Sequence, residues 1–206
     1  MARRGGPRYE PSLGERVSEQ AARLRDDAVE WAGSQSWAVR LPVLLYLGHA
    51  FVHHVRDPLY ASFLFGGVTV GIHELGHVAM RWAPRFLEVA GGTLFQLAAP
   101  VAAAVVLGRQ RDYFGIAVAA AWLSFSLFGV ATYMADARRY ELDYVNVGGG
   151  EVEAQDWDHM LSALGILEWD TRLAALTRAA AVLTGLGALG FATWLLLVMA
   201  RAPRRG

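Results

Sequence analysis

His73-Glu74-Leu75-Gly76-His77 is an HExxH stretch inside an apolar run. Residues four apart share a helix face, so both imidazoles reach one metal ion and Glu74 sits beside the water that ion would bind. This is the donor pair and general base of metal-assisted hydrolysis. The plainer reading is two buried histidines satisfied by hydrogen bonds. The setting weakens it, because an ionisable residue in a membrane span marks a functional site by default. Without Cys, any metal must be held by His, Asp and Glu, and catalytic zinc takes three protein ligands plus water. Asp136, in Tyr133-Met134-Ala135-Asp136-Ala137-Arg138, is the first candidate for the third ligand. A span starting at Leu59 carries His73 to the side on which the run ending near Met134 finishes. A carboxylate at a helix C-terminus also wants a cation, and Arg138 or Arg139 is the rival to a metal. Asp156 and His159, a D-x-x-H step, are the other candidates. They rank lower because their loop must fold back at an ordering cost of about 1–2 kcal/mol per fixed residue.

The elements that would position these groups follow from hydropathy. The chain has 206 residues, of which 54% are hydrophobic and only 18% charged, which does not suit a soluble surface. The excess lies in runs long enough to cross a bilayer: Leu59 to Met80, Gly92 to Leu107, Tyr113 to Met134 and Leu173 to Met199. A fifth, Leu41 to Val55, contains three His and is either a short span or a hairpin dipping into the membrane. The expected fold is an all-α polytopic membrane helix bundle of about five transmembrane helices, with four as the fallback. Within the bundle, Gly76 leaves room for a neighbouring helix, and Gly91-Gly92 would let an extended substrate backbone approach. Gln96 and Pro100 would supply a polar contact and a kink.

Residues 1–40 read as a cytoplasmic or interfacial segment. Leu13, Val17, Leu24, Ala28 and Trp31 form an apolar stripe, and Ser12 with Glu15 makes a capping box, so an amphipathic helix is expected there. Residues 41–200 form the membrane-embedded domain, interrupted by a polar loop at 137–170, and 201–206 is a basic tail. In that loop Gly148, Gly149 and Gly150 mark a turn, and Trp157, Leu161, Leu164 and Leu167 a short helix. Arginines before the first span place the N-terminus in the cytoplasm. Alternation then puts Arg81, Arg85, Arg138 and Arg139 on the same side and strands the tail arginines outside. All 19 basic residues are Arg, balanced by 19 acids. The balance argues against a nucleic-acid partner, and the absence of Lys excludes Schiff-base and Walker-type chemistry.

Two resemblances bear on function. His49, His53 and His54 spell HxxxHH, which together with His73 and His77 is similar to the histidine boxes of membrane di-iron oxidases. No third box follows, and packed or interfacial histidines are the preferred reading. The second is more extensive. Ser62-Phe63-Leu64-Phe65-Gly66-Gly67 through HELGH, Gly91 to Gln96 with Pro100, the ADAR stretch at 135–138 and Asp156-Trp157 together resemble a group of small bacterial membrane proteins. These look like distant relatives of the site-two protease metallopeptidases. The resemblance implies Zn2+ held by His73 and His77, Glu74 as general base, and cleavage of a membrane-protein or peptide substrate in or beside the bacterial inner membrane. The Asp-Gly motif that supplies the third ligand in site-two proteases is absent, and Gln155 stands where a His is expected before Asp-Trp. A membrane di-iron oxidase and a non-enzymatic metal-binding membrane protein remain the alternatives.

Overall fold

The computed structural model describes residues 12–142 and 155–202, and the turn expected at Gly148 to Gly150 and the tail beyond Ala202 lie outside them. The described residues are all-helical apart from turns. The helices are α1 (Leu13–Gly33), α2 (Leu41–Arg56), α3 (Gly66–Ala79), α4 (Arg85–Arg109), α5 (Tyr113–Ala135), α6 (Asp156–Ala163) and α7 (Asp170–Arg201), with a 3-10 turn at Leu167–Trp169. Three of them, α4, α5 and α7 with its preceding turn, are long and apolar enough to cross a membrane.

The centre of the bundle is α5 laid against α7, and small residues make that approach possible. Ala117, Ala121 and Ser124 of α5 and Ala181, Ala188 and Ala192 of α7 are buried. The Ser124 hydroxyl donates to the Ala181 carbonyl at 2.7 Å. A Cβ at Gly185 would fall 2.3 Å from the Phe51 ring. Small residues at helix contacts trade side-chain bulk for backbone proximity, which is the main source of attraction between helices in lipid. The turn from α4 to α5 is tight: Arg111 has φ 57, and Asp112 caps α5 by accepting from the Gly115 N–H at 2.9 Å.

Contacts along α5 fix the direction of every other helix. Arg40, just before α2, stacks over Phe114, whereas His54 near the end of α2 stacks on Phe125 and Phe128, so α2 runs parallel to α5. α3 begins level with Trp122, whose Nε1–H donates to Thr69 Oγ1 at 2.9 Å, and climbs toward the C-terminal end of α5. α7 starts at that end, where Arg138 binds Asp170 at 2.7 Å, and finishes beside Phe114. α1 joins the opposite end: Ala28 and Ala32 pack on Phe114, Ala192 and Leu195, and Asp27 pairs with Arg111 at 3.0 Å. Its Ser12–Glu15 capping box is formed. Only the last turns of its stripe are covered, since Leu13, Val17 and Leu24 are exposed.

The early helices do not alternate in direction as five successive spans would. Leu59 to Met80 is helical only over Gly66–Ala79, which at 14 residues is too short to cross, and α2 and α3 run in the same direction. The chain climbs α2, dips back through residues 57–65 and climbs again as α3. Pro58 lacks an N–H, and the Asp57 carboxylate takes the Leu59 N–H at 2.9 Å, so the helix stops there. The dipping backbone finds partners within the protein. Leu64 N–H donates to the Tyr46 hydroxyl at 3.0 Å, and Thr132 Oγ1–H donates to the Pro58 carbonyl at 3.1 Å. Irregular backbone away from water is tolerated on that condition.

Glycine sets how closely α3 lies on α4. A Cβ on Gly76 would meet the Gly91 carbonyl oxygen at 2.2 Å, and one on Gly91 would meet the Gly76 carbonyl at 2.6 Å. Space expected to admit a substrate strand at Gly91-Gly92 is therefore filled by α3. Gly76→Ala should destabilise the protein by about 1–3 kcal/mol, because backbone rather than a flexible side chain must yield. Gly71→Ala, on the same helix with nothing near its Cβ, should leave the unfolding midpoint unchanged or raise it. Denaturant unfolding in detergent micelles checks the pair, and equal behaviour would remove the crossing from the account.

Candidate metal centre

The HExxH helix presents His73 and His77 to α4, and α4 answers with acceptors for their inner nitrogens. His73 Nδ1–H donates to Gln96 Oε1 at 2.9 Å, and His77 Nδ1–H donates to the Glu88 carbonyl at 3.1 Å. Gln96 is itself fixed, because its Nε2 donates to the Ser126 carbonyl on α5 at 3.1 Å. Both acceptors are carbonyl oxygens, so the hydrogen-bond network assigns the proton of each neutral ring to Nδ1 and leaves each Nε2 as a bare lone pair. Histidines that bind metal are oriented by this kind of outer contact.

The two Nε2 atoms point at one place. They lie 3.0 Å apart, and Asp156 Oδ2 lies 3.0 Å from that of His73 and 3.1 Å from that of His77. Three acceptors at such separations repel unless a positive species sits among them, either a proton shared with the carboxylate or a metal ion. Neighbouring donors around a tetrahedral zinc with bonds of about 2.0–2.1 Å are about 3.3 Å apart. The cluster is a few tenths of an ångström tighter, within the movement of three half-buried side chains. The donor set, two imidazoles and a carboxylate, suits zinc. Among the described residues this is the group of His, Asp and Glu placed to hold an ion.

One face of the triangle is closed by backbone. A Cβ on Gly92 would stand 2.5 Å from His77 Nε2 and 2.6 Å from His73 Nε2, so only glycine leaves those nitrogens clear. Burial alone would raise the Asp156 carboxyl. Once an imidazole takes up a second proton on Nε2, its hydrogen bond and its charge outweigh that penalty and hold the carboxyl down at about 2. At neutral pH Asp156 is thus ionised and ready to act as a ligand. Glu74, half-buried on the same helix, makes no hydrogen bond or ion pair with a described residue and lies within electrostatic reach of His77 and Tyr133.

The structure brings together His73, His77 and Asp156, and it places Asp136 elsewhere. Asp136 is buried at the end of α5, where its carboxylate accepts the N–H groups of Glu141 at 2.9 Å and Leu142 at 3.2 Å. Its expected rival partner Arg138 is taken by Asp170. The ordering cost that counted against the loop is offset because α6 docks through apolar side chains. Met160 packs on Val89 and Ala90, and Leu161 on Val130, Met134 and Ala174. His159 lies on α6 but outside the donor group, as do His49, His53 and His54 on α2. The role of the Glu88 carbonyl had no sequence signal, since any residue supplies one.

Compared with known proteins, the chain matches no family model, no curated protein and no solved structure. The centre therefore stands on its own geometry. Asp156→Asn should lose stoichiometric zinc after dialysis, whereas Asp136→Asn should retain it. Gln96→Leu, which frees the His73 ring, should weaken zinc affinity about 10–100-fold. Zinc per chain by elemental analysis reads all three, and full zinc on Asp156→Asn would discard the three-donor centre.

Proposed function

We propose that the chain is a membrane-embedded zinc hydrolase that cleaves a peptide bond within or beside the bilayer, like the site-two protease relatives its motifs resemble. The observation that carries this reading is the convergence of two imidazole lone pairs and a carboxylate beside Glu74, a carboxylate with no described partner of its own. Bound there, zinc would supply a Lewis acid and lower the pKa of its water to about 7. His73, His77 and Asp156 would hold the ion, and Gln96 and the Glu88 carbonyl keep the two rings turned toward that place. Glu74 takes the proton of the attacking water on its carboxylate and returns it to the departing amine nitrogen. Gly92 keeps α4 side chains out of the donor triangle. The histidines of α2 lie outside the donor group, so the di-iron alternative draws no support from the arrangement.

The same reading gives the molecule an orientation. α4, α5 and α7 make three crossings, α2 at 16 residues runs parallel to α5 as a short fourth, and α3 is a re-entrant arm, so the start of α2 and the end of α7 share one side. Seven arginines precede α2, two flank the α4–α5 turn and three lie at Arg201 and beyond, against seven in the segments leading to the other end. The arginine excess puts the α1 end in the cytoplasm, and α1 then lies at that interface with Leu13, Val17 and Leu24 toward the lipid. The metal centre sits near the opposite, non-cytoplasmic face. This arrangement also removes the difficulty of the stranded basic tail.

Two measurements test these statements. Glu74→Gln, reconstituted in vesicles with a mixture of single-span peptides, should keep its zinc and lose cleavage, because an amide cannot accept the water's proton. Cleavage at the wild-type rate would remove Glu74 from its role. Reporters fused after Arg85 and after Arg139 should register outside the cytoplasm, with those after Arg109 and at the C-terminus inside. Cytoplasmic signals at Arg85 and Arg139 would return the centre to the inner leaflet.

A further inference from the structure

Because α3 begins only partway along α5, it leaves a cleft between α2 and α4 in the half of the bundle toward α1, with a volume of about 500 Å³. Val43 of α2, Ala103 and Leu107 of α4, and Val118 and Ala119 of α5 form its walls. Phe65, just before α3, stacks on Trp122 at 5.9 Å, and the two close its inner end. The single N–H of the Trp122 ring is spent on Thr69, so nothing at that end holds water. From Phe114 to Trp122 the cleft follows α5 for about 12 Å, close to one leaflet's share of the roughly 30 Å hydrocarbon core. Its α1 end carries two opposite charges, Arg40 and Asp112, which do not pair with each other. Arg40 is held only by uncharged groups: it donates to Gln35 Oε1 at 2.7 Å and to the Ser36 carbonyl at 3.0 Å, and it stacks over the Trp31 and Phe114 rings. Asp112 accepts the Gly115 N–H at 2.9 Å.

We propose that this cleft binds one glycerophospholipid whose headgroup carries a phosphate and a primary ammonium, with an acyl chain between α2 and α4, the phosphate at Arg40 and the ammonium at Asp112. The order of the lining is the order of such a lipid: an apolar slot of leaflet depth, then a cation and an anion at its end. Arg40 has five N–H groups and uses two, which leaves donors for phosphate oxygens. A headgroup with negative charge alone would satisfy Arg40 and be repelled by Asp112. An empty cleft forfeits dispersion contacts along both walls, and a lipid tail restores them. Polar pockets between membrane helices take lipid headgroups on these terms. The proposal rests on the bundle crossing a membrane and is independent of the metal centre, which lies at the other end of α5.

The test titrates the full chain in detergent micelles with phosphatidylethanolamine or phosphatidylglycerol and counts bound lipid by native mass spectrometry. Wild type should retain one phosphatidylethanolamine per chain and hold it about three- to tenfold more tightly than phosphatidylglycerol. Ala103→Phe, which fills the cleft, should lose that lipid while its unfolding midpoint stays level or rises. Arg40→Gln should weaken binding about tenfold, and Arg40→Lys should restore most of it. Asp112→Asn keeps the oxygen that caps α5 but loses the charge, so it should bind the two lipids alike. These headgroup variants read the site even where Ala103→Phe fails to fold. The His73→Ala/His77→Ala variant should hold the lipid as wild type does, which separates this proposal from the hydrolase reading. Equal affinity of wild type for the two lipids, a bound lipid that folded Ala103→Phe keeps, or wild-type affinity in Arg40→Gln would overturn it.

Discussion

Three acceptor atoms held about 3 Å apart, with no proton left over from their other contacts, make an arrangement that demands a cation. His73 and His77 have committed their Nδ1 protons to Gln96 and Glu88, so their outward nitrogens and Asp156 Oδ2 face one another as lone pairs. The rest of the fold bears the cost of that convergence. Without an ion, one imidazole must take up a second proton and pair with the carboxylate. With one, all three acceptors are satisfied at once.

Each supporting element can be read as keeping those atoms together. The Gly76–Gly91 crossing brings α4 close enough for its residues to reach both rings, and Gly92 keeps the approach clear. Gln96 ties the arrangement to α5 through Ser126, so the centre is braced by the best-packed part of the bundle. The dip at residues 57–65 lets α3 start partway along α5 and end level with α6. A continuous crossing helix would carry HExxH past the level where Asp156 can meet it. The Arg138–Asp170 pair and the apolar contacts of Met160 and Leu161 hold the α6 region against the bundle.

How much of this was legible in the sequence depended on the range of the interaction. The long helices α5 and α7 were readable because a long unbroken apolar run favours one continuous helix, and the capping box at Ser12 because its partners are three residues apart. α3 is shorter than its apolar run: hydropathy is continuous from Leu59, and the dip depends on Tyr46 and Thr132, which are far away in sequence. The pair His73–His77 was visible from spacing alone. The carboxylate that joins them was not, because Asp136 and Asp156 differ in what surrounds them after folding. Asp136 has two backbone N–H groups to accept, a local demand of the turn after α5, whereas Asp156 is delivered by apolar contacts of the helix behind it.

X-ray absorption at the zinc edge of the loaded protein reads whether one ion is held by two imidazoles and one carboxylate. One zinc per chain is expected, with a shell of nitrogen and oxygen at about 2.0–2.1 Å and the outer scattering of two imidazole rings, reduced to one ring in His77→Ala. A shell of oxygen alone, or a spectrum that His77→Ala leaves unchanged, would contradict it.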